Sequence, residues 1–269
     1  MDDRRVRPPA VAGTFYPADP DELRAAVRAC LDAARPDFDG EPAAVVVPHA
    51  GYAYSGPVAA TAYALLERHA RRRPFERVVV VGPAHYVPLF GLAVPGADAF
   101  ATPLGEVAVD EELRALALAH PAVTVDDRAH APEHSLEVQL PFLQVVLGDV
   151  PVLPMVAGRV RPEEVAGALA RVWADPATLL VVSTDLSHYH DYDTAVAIDR
   201  QTVAAVCDRR PSLIGDEQAC GSRPLRGLLI LARERGMAVA ALDVRNSGDT
   251  AGDRDRVVGY ASFAVSPAA

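Results

Sequence analysis

Apolar residues are spaced in two ways along this chain. In the first, aliphatic and β-branched residues follow one another without interruption, over 44–47, 77–81, 150–155 and 179–182. Runs of this length predict strands buried on both faces, because a strand with one wet face alternates instead. Two further strands are predicted over 239–244 and 257–265, paired as a hairpin across a long connection at 246–256. In the second spacing, apolar residues recur every three or four positions. Residues 21–34 place Leu23, Val27 and Leu31 on one stripe, with Asp19 or Asp21 as N-cap. Helices are also predicted over 57–69, with Pro57 at the first position, and over 110–119, 135–147, 162–173, 195–207 and 225–235. Pro141 predicts a kink near Glu137.

Alternating strands and helices predict a single three-layer α/β domain, a mostly parallel or mixed central sheet with helices on both faces. At 269 residues the chain has room for two domains of ~150. However, no linker, low-complexity stretch or repeat divides it, so residues 1–269 are expected to form one unit.

Composition removes several chemistries. All 26 basic side chains are arginine. Without lysine there is no Schiff-base enzyme, no P-loop and no protein-kinase strand lysine. A net charge of -10 argues against a nucleic-acid partner. Arg71, Arg72 and Arg73 follow a predicted helix and read as favourable charges at its C-terminus. The first five residues lack the apolar run of a secretion signal, and no stretch approaches ~18 consecutive apolar residues, so no membrane span is expected. Three widely spaced cysteines, Cys30, Cys207 and Cys220, fit a reducing, cytoplasmic setting.

Candidate chemistry lies just beyond the apolar runs. His49 follows the first, His85 the second, and Asp185 and His188 the fourth. Ligands of open α/β sheets bind at the carboxyl ends of strands, so these residues are expected to converge on one edge. A single histidine there is ordinarily a satisfied loop residue; three at equivalent positions point to a metal. Glu133 and His134 either begin a helix capped by Ser135 or face the same pocket. His190 reads as solvated, His69 and His120 as helix-end charges, and His130 as a residue of a polar loop. Cys220 precedes Gly221 and a helix, which leaves ligand, nucleophile and filler all open.

Several motifs taken together resemble the Memo family, whose bacterial members are labelled AmmeMemoRadiSam system protein B. They are Val11-Ala12-Gly13-Thr14-Phe15-Tyr16-Pro17, Pro48-His49-Ala50-Gly51-Tyr52-Ala53-Tyr54-Ser55-Gly56 and Gly82-Pro83-Ala84-His85. Glu133-His134-Ser135-Leu136-Glu137, Ser183-Thr184-Asp185-Leu186-Ser187-His188 and Ala219-Cys220-Gly221 follow in order. The resemblance implies a fold similar to the LigB-like extradiol dioxygenases. It also implies a mononuclear iron or copper site at His49, His85 and Cys220, with His188 as general base beside Asp185. Family analogy further implies AMMECR-like and radical SAM protein partners. The dioxygenases use two histidines and a carboxylate. A thiolate in the third place is softer and also admits zinc.

Three functions follow as expectations. The first is a metal-dependent, dioxygenase-like oxidoreductase acting on an unidentified small molecule, with Tyr54 and His134 lining the pocket. The second is a non-catalytic protein- or peptide-interaction module that retains the pocket. The third is a metal-independent thiol enzyme with Cys220 as nucleophile and His188 or His49 as base.

Overall fold

A computed structural model describes residues 4–267. In chain order its elements are β1 (Val6–Arg7), α1 (Pro20–Ala33), β2 (Ala44–Val47), α2 (Tyr52–Ala70), β3 (Arg77–Pro83), β4 (Leu92–Val94), β5 (Ala99–Thr102) and β6 (Gly105–Ala108). There follow α3 (Glu111–Leu118), β7 (Val123–Val125), α4 (Asp127–His130), α5 (His134–Glu137), α6 (Leu140–Leu147), β8 (Val152–Ala157) and α7 (Pro162–Val172). The remainder are β9 (Thr178–Ser183), β10 (His188–His190), α8 (Tyr192–Cys207), α9 (Ser222–Glu234), β11 (Ala238–Asn246) and β12 (Val257–Ser266).

The main sheet runs β10-β12-β2-β9-β3-β8-β4-β7, with β11 along β12. Its centre, β2, β9, β3 and β8, is parallel; β12 and β4 flank it antiparallel, so the sheet is mixed. The uninterrupted apolar runs are explained by the side-chain period of two. Ala44, Val46, Val79, Val81, Leu153, Met155, Leu180 and Val182 all point to the layer of α3, α7, α8 and α9. Their neighbours Val45, Val47, Val78, Val80, Val152, Leu179 and Val181 point to the layer of α1, α2 and α6. Both sets are fully shielded, and each valine, leucine or methionine among them contributes about 1.5–3 kcal/mol of apolar burial. The predicted single α/β domain with helices on both faces is therefore the fold observed.

The long elements match their predicted positions, and Asp19 is the N-cap of α1. The β11–β12 hairpin forms, joined across 247–256. Three expectations change. Helix α2 begins at Tyr52, so Pro57 lies inside it rather than at its start. The fixed φ of proline suits a helix; the missing N–H and the crowding of its ring against the Ala53 carbonyl fall within the first two turns of α2. The predicted helix 135–147 is two helices, α5 and α6, separated at Val138–Gln139, with Pro141 in the first turn of the second. Strands β1, β4–β7 and β10 were not predicted, being two to four residues long and too short to show a period. The leader reading rests on residues 1–5, of which 1–3 lie outside the described range. Among the described residues no helix is long and apolar enough to cross a membrane.

Candidate metal centre

The parallel centre of the sheet brings the site together. Val47 pairs with Ser183, and Val81 with Val182, so β2, β9 and β3 end side by side. The residues just beyond those ends, His49, Asp185 and His85, therefore emerge at one edge. Helix α5, packed against β3, adds His134. The ligand atoms of His49, His85 and His134 all lie within 4.8 Å of one another. Donors bound ~2.1 Å from one tetrahedral ion stand ~3.4 Å apart, so a small inward movement would let the three share an ion.

The partners of His49 and His85 fix which ring nitrogen is free. Ser183 Oγ donates its only proton to the Ser135 carbonyl at 2.6 Å. It must therefore accept from Gln139 Nε2 at 2.9 Å and from His49 Nδ1 at 2.9 Å. Gln139 is itself oriented, since its Nε2 also donates to the Pro48 carbonyl and its Oε1 accepts from the Tyr63 hydroxyl. His49 thus carries its proton on Nδ1 and leaves a lone pair on Nε2. Burial holds its pKa well below the ordinary value, so the ring is neutral.

His85 Nδ1 donates to Glu133 Oε1 at 2.8 Å, while the His85 and Ser135 amides donate to the same carboxylate. Burial pushes the Glu133 pKa up, but these hydrogen bonds prevail and hold it at about 2. This occupies His85 Nδ1 and turns Nε2 away from Glu133. Two histidines, each with one nitrogen held by a buried acceptor and the other open, form the arrangement that orients imidazoles on a metal. His134 stacks on His85 at 4.6 Å and meets His49 edge-on at 5.4 Å. Its Nδ1 is buried without a hydrogen bond, 3.5 Å from Glu133 Oε1. Burial lowers its pKa to about 4. An orphaned nitrogen of His134 close to the outward nitrogens of His49 and His85 fits a cation.

Cys220 reaches the same place from the loop before α9. Its Sγ is 3.3 Å from His49 Nε2 and accepts from the Asp185 amide at 3.3 Å. Gly221 makes this approach possible: a Cβ there would stand 2.8 Å from the Ser183 carbonyl oxygen. Burial, then the Asp185 carboxylate, pushes the thiol up to about 12. Asp185 is buried, which raises its pKa, and Oδ1 accepts the His49 amide at 2.7 Å.

A cavity of about 630 Å³ opens over these groups, lined by His49, His85, His134, Asp185, His188 and Cys220 together with Phe15, His190, Asp216 and Glu217. Tyr54 is not among the lining residues. Because α2 starts at Tyr52, Tyr54 sits in its first turn and is 42% exposed. His190, read as solvated, does line the cavity: β10 places it on the same side as His188, with a register irregularity between them. His130 is buried on α4, its Nε2 on the Ala93 carbonyl, rather than in a polar loop. The expected cap by Ser135 is made by Glu133, which accepts the Ser135 amide, while Ser135 Oγ donates to the Pro83 carbonyl. Ser183 and Gln139 had no signal of their own in the sequence.

Comparison with known proteins identifies the family and the fold. A family model described as Memo-like protein matches residues 7–264. A MEMO1 family protein of Methanopyrus kandleri is 38% identical, over 96% of this chain and 98% of its own length. Those of Thermotoga maritima and Aquifex aeolicus are 37% and 36% identical, each over 95% of this chain and over 98% and 97% of their own lengths. The crystal structure of an uncharacterised protein from Escherichia coli K12 has the same fold, with a TM-score of 0.50 at 15% identity over 81% of this chain and 98% of that one. The matches run through every motif that builds the cavity, and the chain belongs to the Memo family.

Proposed function

We propose that this protein holds one transition-metal ion and serves as a metal-dependent, dioxygenase-like oxidoreductase acting on a small organic molecule. His49 and His85 bind the ion through Nε2 and Cys220 binds it through Sγ. Supporting this is the contact of Cys220 Sγ with the one unprotonated nitrogen of His49, next to the free nitrogen of His85. A sulfur and a nitrogen bound to one tetrahedral ion stand ~3.5 Å apart, close to the spacing found here. Two imidazoles and a thiolate suit iron, copper or zinc. When bound, such an ion supplies Lewis acidity and, for iron or copper, one-electron redox capacity.

The remaining residues have separate tasks. His188, on the cavity wall, is the group placed to move a substrate proton. Asp185 holds the His49 backbone through its amide, and Ser183 and Glu133 hold the two rings. His134 stays neutral at physiological pH and presents a nitrogen without a competing partner. Phe15 packs on the His134 ring at 4.7 Å and keeps water from that side.

The metal-independent thiol reading loses support from the environment of Cys220. A thiol raised to about 12 is protonated at neutral pH and is a poor nucleophile. The interaction-module reading draws on one feature, the rings of Tyr86 and Phe90 exposed beside the cavity. Metal content tests the ligand set. Untagged protein titrated anaerobically with Fe(II), Cu(I) and Zn(II) is expected to take up one equivalent. His49→Ala and Cys220→Ala should each abolish stoichiometric uptake; full uptake by both variants overturns the ligand set. His134→Ala is expected to keep one equivalent, and losing it would make His134 the third ligand in place of Cys220.

A further inference from the structure

A second cavity, of about 540 Å³, adjoins the first and shares His85, Asp216 and Cys220 with it. Two of the three proposed metal ligands, His85 and Cys220, thus form a wall common to two chambers, and the oxidoreductase reading does not use the second. Its other walls are the loop from Pro83 to Phe90, the turn Ala157–Gly158–Arg159, and the start of α9 at Arg223 and Pro224.

These walls are built rather than incidental. The Arg159 amide donates to the Leu89 carbonyl at 2.7 Å, the Gly91 amide to the Arg159 carbonyl at 3.0 Å, and the Gly158 amide to the Gly91 carbonyl at 3.0 Å. Gly158 is required at this crossing, because a Cβ would lie 2.2 Å from the Leu89 carbonyl oxygen. The two loops are therefore laced together, and the backbone carrying Arg159 is fixed. Two guanidiniums reach this chamber. That of Arg223 is neutralised by Asp216 at 2.7 Å. That of Arg159 has no carboxylate partner among the described residues and lies over the Phe90 ring, 6.0 Å from its centroid. Phe90 is 76% exposed and Tyr86 53%, so the chamber offers flat apolar surface beside one uncompensated positive charge. On a chain of net charge -10, whose first chamber is lined by Asp185, Asp216 and Glu217, that charge is out of keeping with its surroundings.

We infer that the second chamber is the substrate's anchoring arm, which binds an organic monocarboxylate through Arg159 and packs its apolar body against Phe90 and Tyr86. The inference rests on the metal reading only for what lies at the other end of the ligand. One free guanidinium matches one negative charge, and its two parallel N–H groups match a carboxylate's two oxygens. A dianion such as phosphate would leave a charge unmatched next to Asp216. The volume suits a small molecule rather than a peptide, whose interface needs upward of ~1,000 Å².

The test uses chelator-treated full-length protein, titrated calorimetrically with sodium benzoate, benzyl alcohol, inorganic phosphate and an end-blocked acidic peptide containing tyrosine. Benzoate is expected to bind at least tenfold more tightly than the other three. Arg159→Gln should lose at least tenfold in benzoate affinity, whereas Arg171→Gln, on α7, should not. Benzoate binding that ignores Arg159, or is absent from the unaltered protein, overturns the inference. Preference for phosphate or for the peptide overturns the ligand class. The same preparations are then titrated with metal. If metal fails to bind while benzoate still requires Arg159, the anchoring arm stands and the metal reading falls. If metal binds at one equivalent and benzoate ignores Arg159, the arm falls alone.

Discussion

His49 Nδ1 and Ser183 Oγ stand 2.9 Å apart, and the serine can only accept at this contact because its proton is given to the Ser135 carbonyl. The imidazole is thereby set to one tautomer before any ligand arrives. Ser183→Ala removes the acceptor and leaves His49 Nδ1 and the Ser135 carbonyl without it. Metal affinity, measured by competition with a chromogenic chelator, is expected to fall about 10–100-fold. The unfolding free energy should fall by about 1–3 kcal/mol. Unchanged affinity would show that the tautomer is not set by this serine.

Acid should destabilise the metal-free protein in two stages. His134 and His130 are held by burial at about 4, below their ordinary value of 6.5. Between those values the unfolded chain binds protons that the folded one refuses, so stability is present above pH 6.5 and declines toward pH 4. The size is on the order of 3 kcal/mol per histidine. Glu133, held at about 2, adds a second loss as pH falls from about 4.5 toward 2. Urea midpoints of chelator-treated protein at pH 7.5, 5.5 and 4.5 should fall steadily; a flat series contradicts the buried neutral histidines.

Cysteine chemistry should be slow in the fold. Burial raises all three thiols, Cys220 to about 12. Iodoacetamide at pH 8 is expected to label chelator-treated protein far more slowly than free glutathione, and the urea-unfolded chain at the ordinary rate. Rapid labelling confined to Cys220 would revive the thiol-enzyme reading.

Glu137 ties the N-terminal segment to the helix that carries His134. Fully buried, it accepts from the Arg7 guanidinium, the Tyr16 hydroxyl at 2.5 Å, and the Ala10 and Val11 amides at 2.8 and 3.0 Å. Glu137→Leu strands the Arg7 charge and should cost about 3–5 kcal/mol, whereas Arg7→Met with Glu137→Leu recovers part of that loss. Tyr16→Phe removes one hydrogen bond to a charged acceptor, worth about 1.5–3 kcal/mol. Denaturant unfolding of the three variants reads the order directly.

The fold was legible because burial on both faces of the parallel strands writes itself as unbroken apolar runs. His49, His85 and Asp185 were legible for a related reason: each stands just past the end of such a run. Tyr54, expected at the pocket, stands in the first turn of α2 and is 42% exposed, outside the lining of the cavity. Gln139 lies within an apolar stretch, and its partner Pro48 is 91 positions away, so no local pattern marks it. Ser183 opens the Ser183–His188 motif, but nothing local marks it as the acceptor of the His49 ring, 134 positions away. His134 was seen, but its orphaned nitrogen depends on what Glu133 bonds instead, which only the folded chain decides.

The two halves of the site are attached to the molecule differently. His49 and His85 continue directly from β2 and β3, whose amides sit in the middle of the hydrogen-bonded sheet and are expected to exchange with solvent only when the whole domain opens. Their spacing is therefore inherited from global stability. Cys220 arrives on a loop, in a turn just before α9, and is held by the Asp185 amide and the close pass of Gly221. If Cys220 is the third ligand, local opening of that turn is expected to release the sulfur while the nitrogens stay in register, giving the proposed centre a hinge on one side and a fixed jaw on the other.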